Sequence, residues 1–412
     1  MRRVVITGIG TINPIGNDVK TSWNNVKNGV CGINYITRYD ASNDDVSVAA
    51  EIKDFNFEDY FDRKQLKRMD RFVQFAMIAS DEAIDDSKID FSEYNPDRVG
   101  VYYASGIGGL EMIVNQNEKA LKRGYNRLSP YFIPSTIMNI AAGNIAIKHS
   151  IKGPVLSYVT ACASSTNSIG EAFHAIRDGY LDVVVSGGSE ASVIPLSMWG
   201  FSVMQALYKG KDISRASIPF DVNRSGFVMG EGAGTLILEE LESAKKRGAK
   251  IYAEIVGYGA TSDAMHITSP DPEGDGAKRS MLLALADGSL QPEDVIYINA
   301  HGTSTPLNDK TETMAIKNAF GNHAYKLNIS STKSMTGHML GATGAVEAIF
   351  TLLSTKEDFI PPTINVKELD PLCDLNYTLN KGIYKKNDVA ISNSLGFGGH
   401  NATIVFKKYK GE

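Results

Sequence analysis

The order of strands and helices in this chain is written twice. VVITGIG (4–10) is echoed by EIVGYG (254–259), and GVYYASG (100–106) by IYINAHG (296–302). VTAC (159–162) with a helical stretch behind it is echoed by SSTK (330–333). VVVSGGSEA (183–191) returns as VAISNSLGFGG (389–399), and AGTLILEEL (233–241) as NATIVFKKY (401–409). Each likeness is weak alone. Five in one order imply two related halves, 1–250 and 251–412, joined without a low-complexity linker. A length of 412 residues suits this, because a single hydrophobic core stops growing well before that size. The first half is the longer because extra segments follow Gly106 and Gly188, and such insertions cap sites or build interfaces.

Strand-like runs alternate with helical patterns, which predicts an α/β fold. The runs are 3–8, 99–105, 182–188, 234–240, 252–259, 295–302, 326–332, 388–394 and 402–408. Apolar residues at i, i+3 and i+4 predict helices over 71–86 and 164–179. No apolar run reaches the roughly 18 residues of a membrane span, and the start, MRRVVITGIG, reads as a first strand, not a secretory signal. The net charge of −5 argues against a chain that coats nucleic acid or anionic membrane. Three widely spaced cysteines, Cys31, Cys162 and Cys373, provide neither a disulfide framework nor a CxxC pair, so a reducing cytosol is expected.

The repeat places Cys162 and Lys333 at equivalent strand ends. Ligands of open α/β sheets gather at the carboxyl ends of strands, so Cys162, His301, Lys333, His338 and the loop Gly396–Gly399 can converge. Cys162 sits in YVTACASS, after an apolar strand and before a helix whose N-terminus favours thiolate. Its neighbours Ala161, Ala163, Ser164 and Ser165 either open an approach to the thiol or surround a small core filler; the residues alone allow both. His301 stands in NAHGTSTP, placed to donate a hydrogen bond from a glycine-flanked loop, or to serve the fold. Lys333 and His338 share SSTKSMTGHM among small residues, where Glu347 on the following helix can pair with the lysine and keep it charged. In SNSLGFGGHNA, backbone N–H groups can form an oxyanion hole completed by the N–H of Cys162, with Phe397 a core plug or a movable gate.

Competing motifs fail. Gly8-Ile-Gly10 opens a dinucleotide fingerprint, but its third glycine position is Asn13; Gly106-Ile-Gly108-Gly109 runs into Glu111. No phosphate loop or HExxH is present, and the seven histidines show no metal-ligand spacing, so no metal is expected.

Taken together, TACASS, NAHGTSTP, SSTKSMTGH and SNSLGFGGHNA resemble the β-ketoacyl-acyl-carrier-protein synthases, nearest to the elongating synthase II branch of bacterial type II fatty-acid synthesis. The likeness extends through RMDRF (68–72), PFDVNRSGFVMGEGAG (219–234) and EIVGYGATSDAMHITSP (254–270). It implies a thiolase-like duplicated five-layered α-β-α-β-α fold with two pseudo-symmetric halves and the site between them. It also implies a decarboxylating condensation of an acyl thioester on Cys162 with malonyl-acyl-carrier protein. His301 and His338 would support the enolate, Lys333 would act electrostatically, and the Cys162 and Phe397 amides would hold the oxyanion. Thr303 and Thr305 would contact the pantetheine arm, and Phe397 with Ile107 would gate the acyl group. Phe201, Phe132 and Ile133 would line the acyl tunnel. Lys64, Lys67 and Arg68 in RKQLKR (63–68) would dock an acidic acyl-carrier protein, with Arg127 and Lys211 adding charge. The expected protein is a cytoplasmic homodimer with no cofactor of its own, no nucleic-acid partner and no membrane partner. A polyketide-type ketosynthase and a non-catalytic chain-length-factor subunit are the alternatives, the second opposed by the intact Cys162, His301 and His338.

Overall fold

A computed structural model describes residues Met1–Gly411. Its main sheet has ten strands. In the first half these are β1 (Val4–Ile12), β2 (Val99–Ala104), β3 (Val155–Leu156), β4 (Val183–Glu190) and β5 (Gly232–Glu240). The second half supplies β6 (Ala253–Ser262), β7 (Tyr297–Asn299), β8 (Asn328–Ser330), β9 (Val389–Gly396) and β10 (His400–Lys407). All but β3 fall on the runs read from the sequence, and the expected helices run Arg71–Ser87 and Ser164–Arg177. The 295–302 and 326–332 runs shrink to three-residue strands, because the chain leaves the ladder there to form site loops.

The strand order is β8-β7-β9-β10-β6-β1-β5-β4-β2-β3, which reads the same from either end once β1 is matched to β6. Each half has an antiparallel meander (β1–β5–β4 and β6–β10–β9) followed by parallel pairing outward to β2–β3 and β7–β8. The halves join where β1 runs antiparallel to β6, with Val4 opposite Ile255 and Ile6 opposite Ala253.

Side-chain alternation along these strands builds the layers. Val184, Leu236 and Leu238 of the first half pack with Ala402, Ile404 and Phe406 of the second around two central helices, Ser164–Arg177 and Thr343–Glu357. Val183, Val185 and Ile237 face the other way, onto the helices Arg71–Ser87 and Ile140–His149. In the second half Ile298, Ile391 and Val405 face the helices Asp275–Asp287 and Pro306–Phe320. The result is helix, sheet, helix, sheet, helix. Strands covered on both faces need apolar residues on both, as the fully buried β1 and β4 have.

The glycines that open a dinucleotide fingerprint have a packing cause. A Cβ on Gly8 would lie 2.2 Å from the Ala83 carbonyl oxygen, and one on Gly10 2.1 Å from that of Ala79. Their repeat mates repeat the contact: Gly257 would meet the Ala284 oxygen at 2.1 Å and Gly259 that of Ser280 at 2.2 Å. One outer helix thus lies close against the innermost strand of each half, which explains the VVITGIG and EIVGYG echo.

One expectation is corrected. No apolar strand leads into Cys162: residues 157–160 pair in no ladder, and the strand before them is the two-residue β3 at the sheet edge, with both side chains exposed. An edge position with one open face gives those apolar residues no second layer to enter.

Candidate active site

Cys162 lies in a single 3-10 turn, Ala161–Ala163, that runs directly into the central helix Ser164–Arg177. Ala161 has φ +51°, a left-handed conformation that costs a non-glycine residue about 1–2 kcal/mol. Local bonds hold the turn: Ser164 Oγ donates to the Ala161 carbonyl at 2.6 Å and accepts from the Thr160 N–H at 2.9 Å. Gly396 at the end of β9 closes over it, for a Cβ there would lie 3.1 Å from the Cys162 nitrogen. The small residues around the thiol also let the two central helices meet. The Ala345 N–H donates to Ser165 Oγ at 2.9 Å, and a Cβ on Gly344 would sit 2.0 Å from Thr166 Oγ1.

The second half brings the other groups. The N–H groups of His301 and Gly302 each donate to the Glu312 carboxylate at 2.8 Å, which fixes the loop after β7. His338 follows Gly337 (φ +64°), and its own N–H donates to the Val228 carbonyl at 2.7 Å. His338 Nε2 lies 3.1 Å from Cys162 Sγ, across 176 residues of sequence, while its Nδ1 lies 3.0 Å from Thr343 Oγ1. The His301 and His338 rings meet edge to face with centroids 5.3 Å apart. Lys333 Nζ donates to Glu347 Oε1 at 2.7 Å with both side chains 1% exposed, the partnership read from the sequence.

Burial sets the charges. It pushes the Cys162 thiol up to about 12, although Lys333 and the Phe397 and Cys162 backbone N–H groups pull the other way. The helix N-terminus was expected to favour thiolate; desolvation outweighs it, and the resting sulfur is protonated. Burial, then the charge of Lys333, holds both His301 and His338 well below the ordinary histidine range, so both rings are neutral. Burial raises Glu347 to about 7 against the opposing pull of Lys333.

A cavity of about 560 Å³ opens onto these groups, bordered by Cys162, His301, His338, Phe201, Thr303, Thr305 and Phe397 among others. The Thr303 and Thr305 hydroxyls lie 2.9 Å apart. The Phe397 ring stacks on Phe201 at 6.4 Å, and Gly398 and Gly399 behind it have φ of +84° and +75°. Ile107 packs in the apolar cluster of Cys162 and Leu340 without bordering the cavity. Phe132 and Ile133, placed in the acyl tunnel from the sequence, do not border the cavity within one chain. Both lie on the short helix Phe132–Thr136, where Ile133 is 61% exposed. Lys64, Lys67 and Arg68 are exposed on the helix Arg63–Arg68, with the Arg68 guanidinium 4.6 Å over the Tyr131 ring; Arg127 and Lys211 are exposed as well.

Sequence reasoning missed several residues. Glu190 accepts from the N–H groups of Gly106, Ile107 and Gly341 at 2.8–3.2 Å, tying the Ile107 loop to the turn after His338. Asp263 borders the cavity and accepts from Asn401 Nδ2 at 2.7 Å. Glu312 and Thr343 had no signal beyond being polar residues inside helical patterns.

Mirrored α/β halves with a cysteine from one and a lysine and two histidines from the other define a thiolase-like ketosynthase architecture. The chain belongs to the beta-ketoacyl synthase family: residues 1–244 match its N-terminal domain and residues 252–367 its C-terminal domain. It is 52% identical to the 3-oxoacyl-[acyl-carrier-protein] synthase 2 of Staphylococcus aureus (strain COL) over 99% of both chains. It is also 52% identical to the protein of that name from Synechocystis sp., again over 99% of both. Among solved structures, it superimposes with a TM-score of 0.90, at 34% identity over 99% of this chain and 100% of the other, on a chain from a type II PKS acyl-carrier protein in complex with its ketosynthase bound to the hexaketide.

Proposed function

We propose that this protein condenses an acyl thioester held on Cys162 with malonyl-acyl-carrier protein, releasing CO₂ and β-ketoacyl-acyl-carrier protein in fatty-acid elongation. The observation that carries this is the sulfur 3.1 Å from His338 Nε2, with the His301 ring beside it in one cavity. A thiol this basic is a poor nucleophile until it loses its proton, and a neutral imidazole in contact is placed to take it. His338 receives the thiol proton as sulfur attacks the acyl thioester, and returns it to the departing pantetheine thiolate. In the second step the malonyl C–CO₂ bond breaks and the electron pair enters an enolate. That step needs no strong base; it needs donors aimed at the enolate oxygen in a dry site, which His301 and His338 supply. The enolate carbon attacks the acyl carbonyl, the Cys162 and Phe397 N–H groups hold the oxyanion, and Cys162 leaves as thiolate and takes one proton from solvent. His338 must present a lone pair in one step and an N–H in the other; the Thr343 hydroxyl, donor and acceptor both, satisfies either tautomer. Lys333 supplies positive charge through both steps, held by Glu347.

The substrates carry their own pantetheine arms, so the reaction as balanced calls for no resident cofactor. Thr303 and Thr305 contact that arm, Phe397 and Ile107 gate the acyl group, and Lys64, Lys67 and Arg68 dock the carrier protein. Among the described residues no helix is long and apolar enough to cross a membrane. The three free thiols and the carrier-borne substrates support a cytoplasmic setting. A homodimer would cover the exposed apolar edge strand Val155–Leu156, and across such an interface Phe132 and the exposed Ile133 can border the acyl pocket of the partner. Incubation with acyl- and malonyl-carrier protein should give β-ketoacyl product and CO₂ in equal amounts; folded protein yielding neither refutes the reading.

A further inference from the structure

Three donor atoms meet here that no spacing in the chain foreshadows. Cys162 Sγ and one ring nitrogen each from His301 and His338 lie within 4.8 Å of one another, all on buried residues. A tetrahedral zinc ion, with bonds of about 2.3 Å to sulfur and 2.0–2.1 Å to nitrogen, needs donors roughly 3.3–3.6 Å apart. The set brackets that spacing, from 3.1 Å between Sγ and His338 Nε2 to no more than 4.8 Å, so small side-chain rotations close it on an ion. An imidazole ring binds a metal through one ring nitrogen, and His338 Nε2 already faces the sulfur. His301 Nδ1 is buried with no hydrogen-bond partner among the described residues. The cavity leaves a fourth position open to water, the arrangement of three-ligand zinc sites.

We propose that Cys162, His301 and His338 form a reversible site for a soft divalent cation such as Zn²⁺, which silences the resting protein by engaging the nucleophile and both histidines at once. The Cys162 S–H proton leaves to solvent as the sulfur–metal bond forms, with no change in oxidation state. Sulfur and imidazole donors favour Zn²⁺ or Co²⁺ over Mg²⁺ and Ca²⁺, which want oxygen. Lys333 opposes a cation, but its pairing with Glu347 at 2.7 Å offsets part of that charge. A blocked sulfur cannot serve as thiolate ligand, so the metal and a group on Cys162 exclude each other. The site rests on three atomic positions and not on the condensation chemistry, so either can fail without the other.

The test is a Co²⁺ titration of the full-length protein under reducing, anaerobic conditions, followed by optical spectroscopy. One equivalent should produce a thiolate-to-cobalt charge-transfer band that Zn²⁺ abolishes and excess Mg²⁺ does not. The band should vanish in Cys162→Ala and in wild-type protein alkylated at Cys162. His301→Ala should weaken binding by at least the roughly 10–100-fold that losing an outer partner of a metal site costs. Zn²⁺ should also slow iodoacetamide labelling of Cys162, read by peptide mass. No thiolate band in the wild type, a band that persists in Cys162→Ala, or equal competition by Mg²⁺ would overturn the proposal. If His301→Ala does not fold, the alkylated wild type still decides it.

Discussion

The two halves of this molecule share a scaffold and bring different side chains to one cavity, Cys162 from the first and His301 and His338 from the second. Both place an inner strand against an outer helix through paired glycines, Gly8 and Gly10 in one, Gly257 and Gly259 in the other. Both end their sheets in a parallel pair. They part company at the connection into the central helix. In the first half the chain makes one strained turn and enters Ser164–Arg177, leaving Cys162 at its start. In the second, Lys333 opens a separate four-residue helix and His338 follows before Thr343–Glu357 begins. In the proposed reaction, one connection supplies the nucleophile and the other supplies groups that handle charge and protons. The parts that pack are alike in the two halves and the connecting loops differ, where the backbone is free to do so.

The sharpest way to break that comparison is to disable each half alone. Cys162→Ala should abolish the acyl-enzyme mass adduct and lower condensation by about 10⁴-fold or more, while malonyl decarboxylation persists. His301→Ala should leave the adduct and slow CO₂ release by roughly 10²–10³-fold. Equal loss of both steps in either variant would mean the halves do not divide the work.

Glu347→Gln tests whether the second half holds a charge at a cost in folding. It strands Lys333 in a site 1% exposed, so unfolding free energy by denaturant titration should fall by about 3–5 kcal/mol. The scaffold comparison is tested by Gly8→Ala and Gly257→Ala. Each forces a Cβ to within 2.2 or 2.1 Å of a helix carbonyl, and each should cost about 1–3 kcal/mol, by similar amounts in the two halves. A clearly smaller cost on one side would show that its outer helix can yield.

The smallest effect concerns the environment of the Cys162 thiol. With the Cys162 thiol pushed up to about 12, its thiolate fraction rises with pH throughout the neutral range. Iodoacetamide labelling of Cys162 should therefore accelerate about tenfold per unit from roughly pH 7 to 9, without a plateau. A plateau near neutrality would mean that the helix N-terminus outweighs burial after all.

Much of this was legible beforehand for a physical reason. Runs such as VVVSGG and GTLILEE carry their strand character locally, and they repeat in order, so the mirrored sheet could be read from one chain. The Lys333–Glu347 pair was legible because only 14 residues separate the two, with Glu347 in the first turns of the next helix. β3 was missed because two exposed residues at a sheet edge have no periodicity to detect. Thr343, Glu190 and Glu312 were missed because a polar residue within a helix or strand pattern reads alike whether it faces solvent or a buried ring.

By itself, then, the order of residues determined the duplicated scaffold, the close glycine contacts it needs and the side chains able to act as nucleophile, donor and cation. Only the tertiary structure decided their state. It protonates Cys162 where a helix N-terminus argued for thiolate, keeps both imidazoles neutral and leaves Ile133 outside the single-chain cavity. The reason is that packing period is a short-range property of the chain, whereas desolvation and distance are set by neighbours as remote as Cys162 and His338, 176 residues apart.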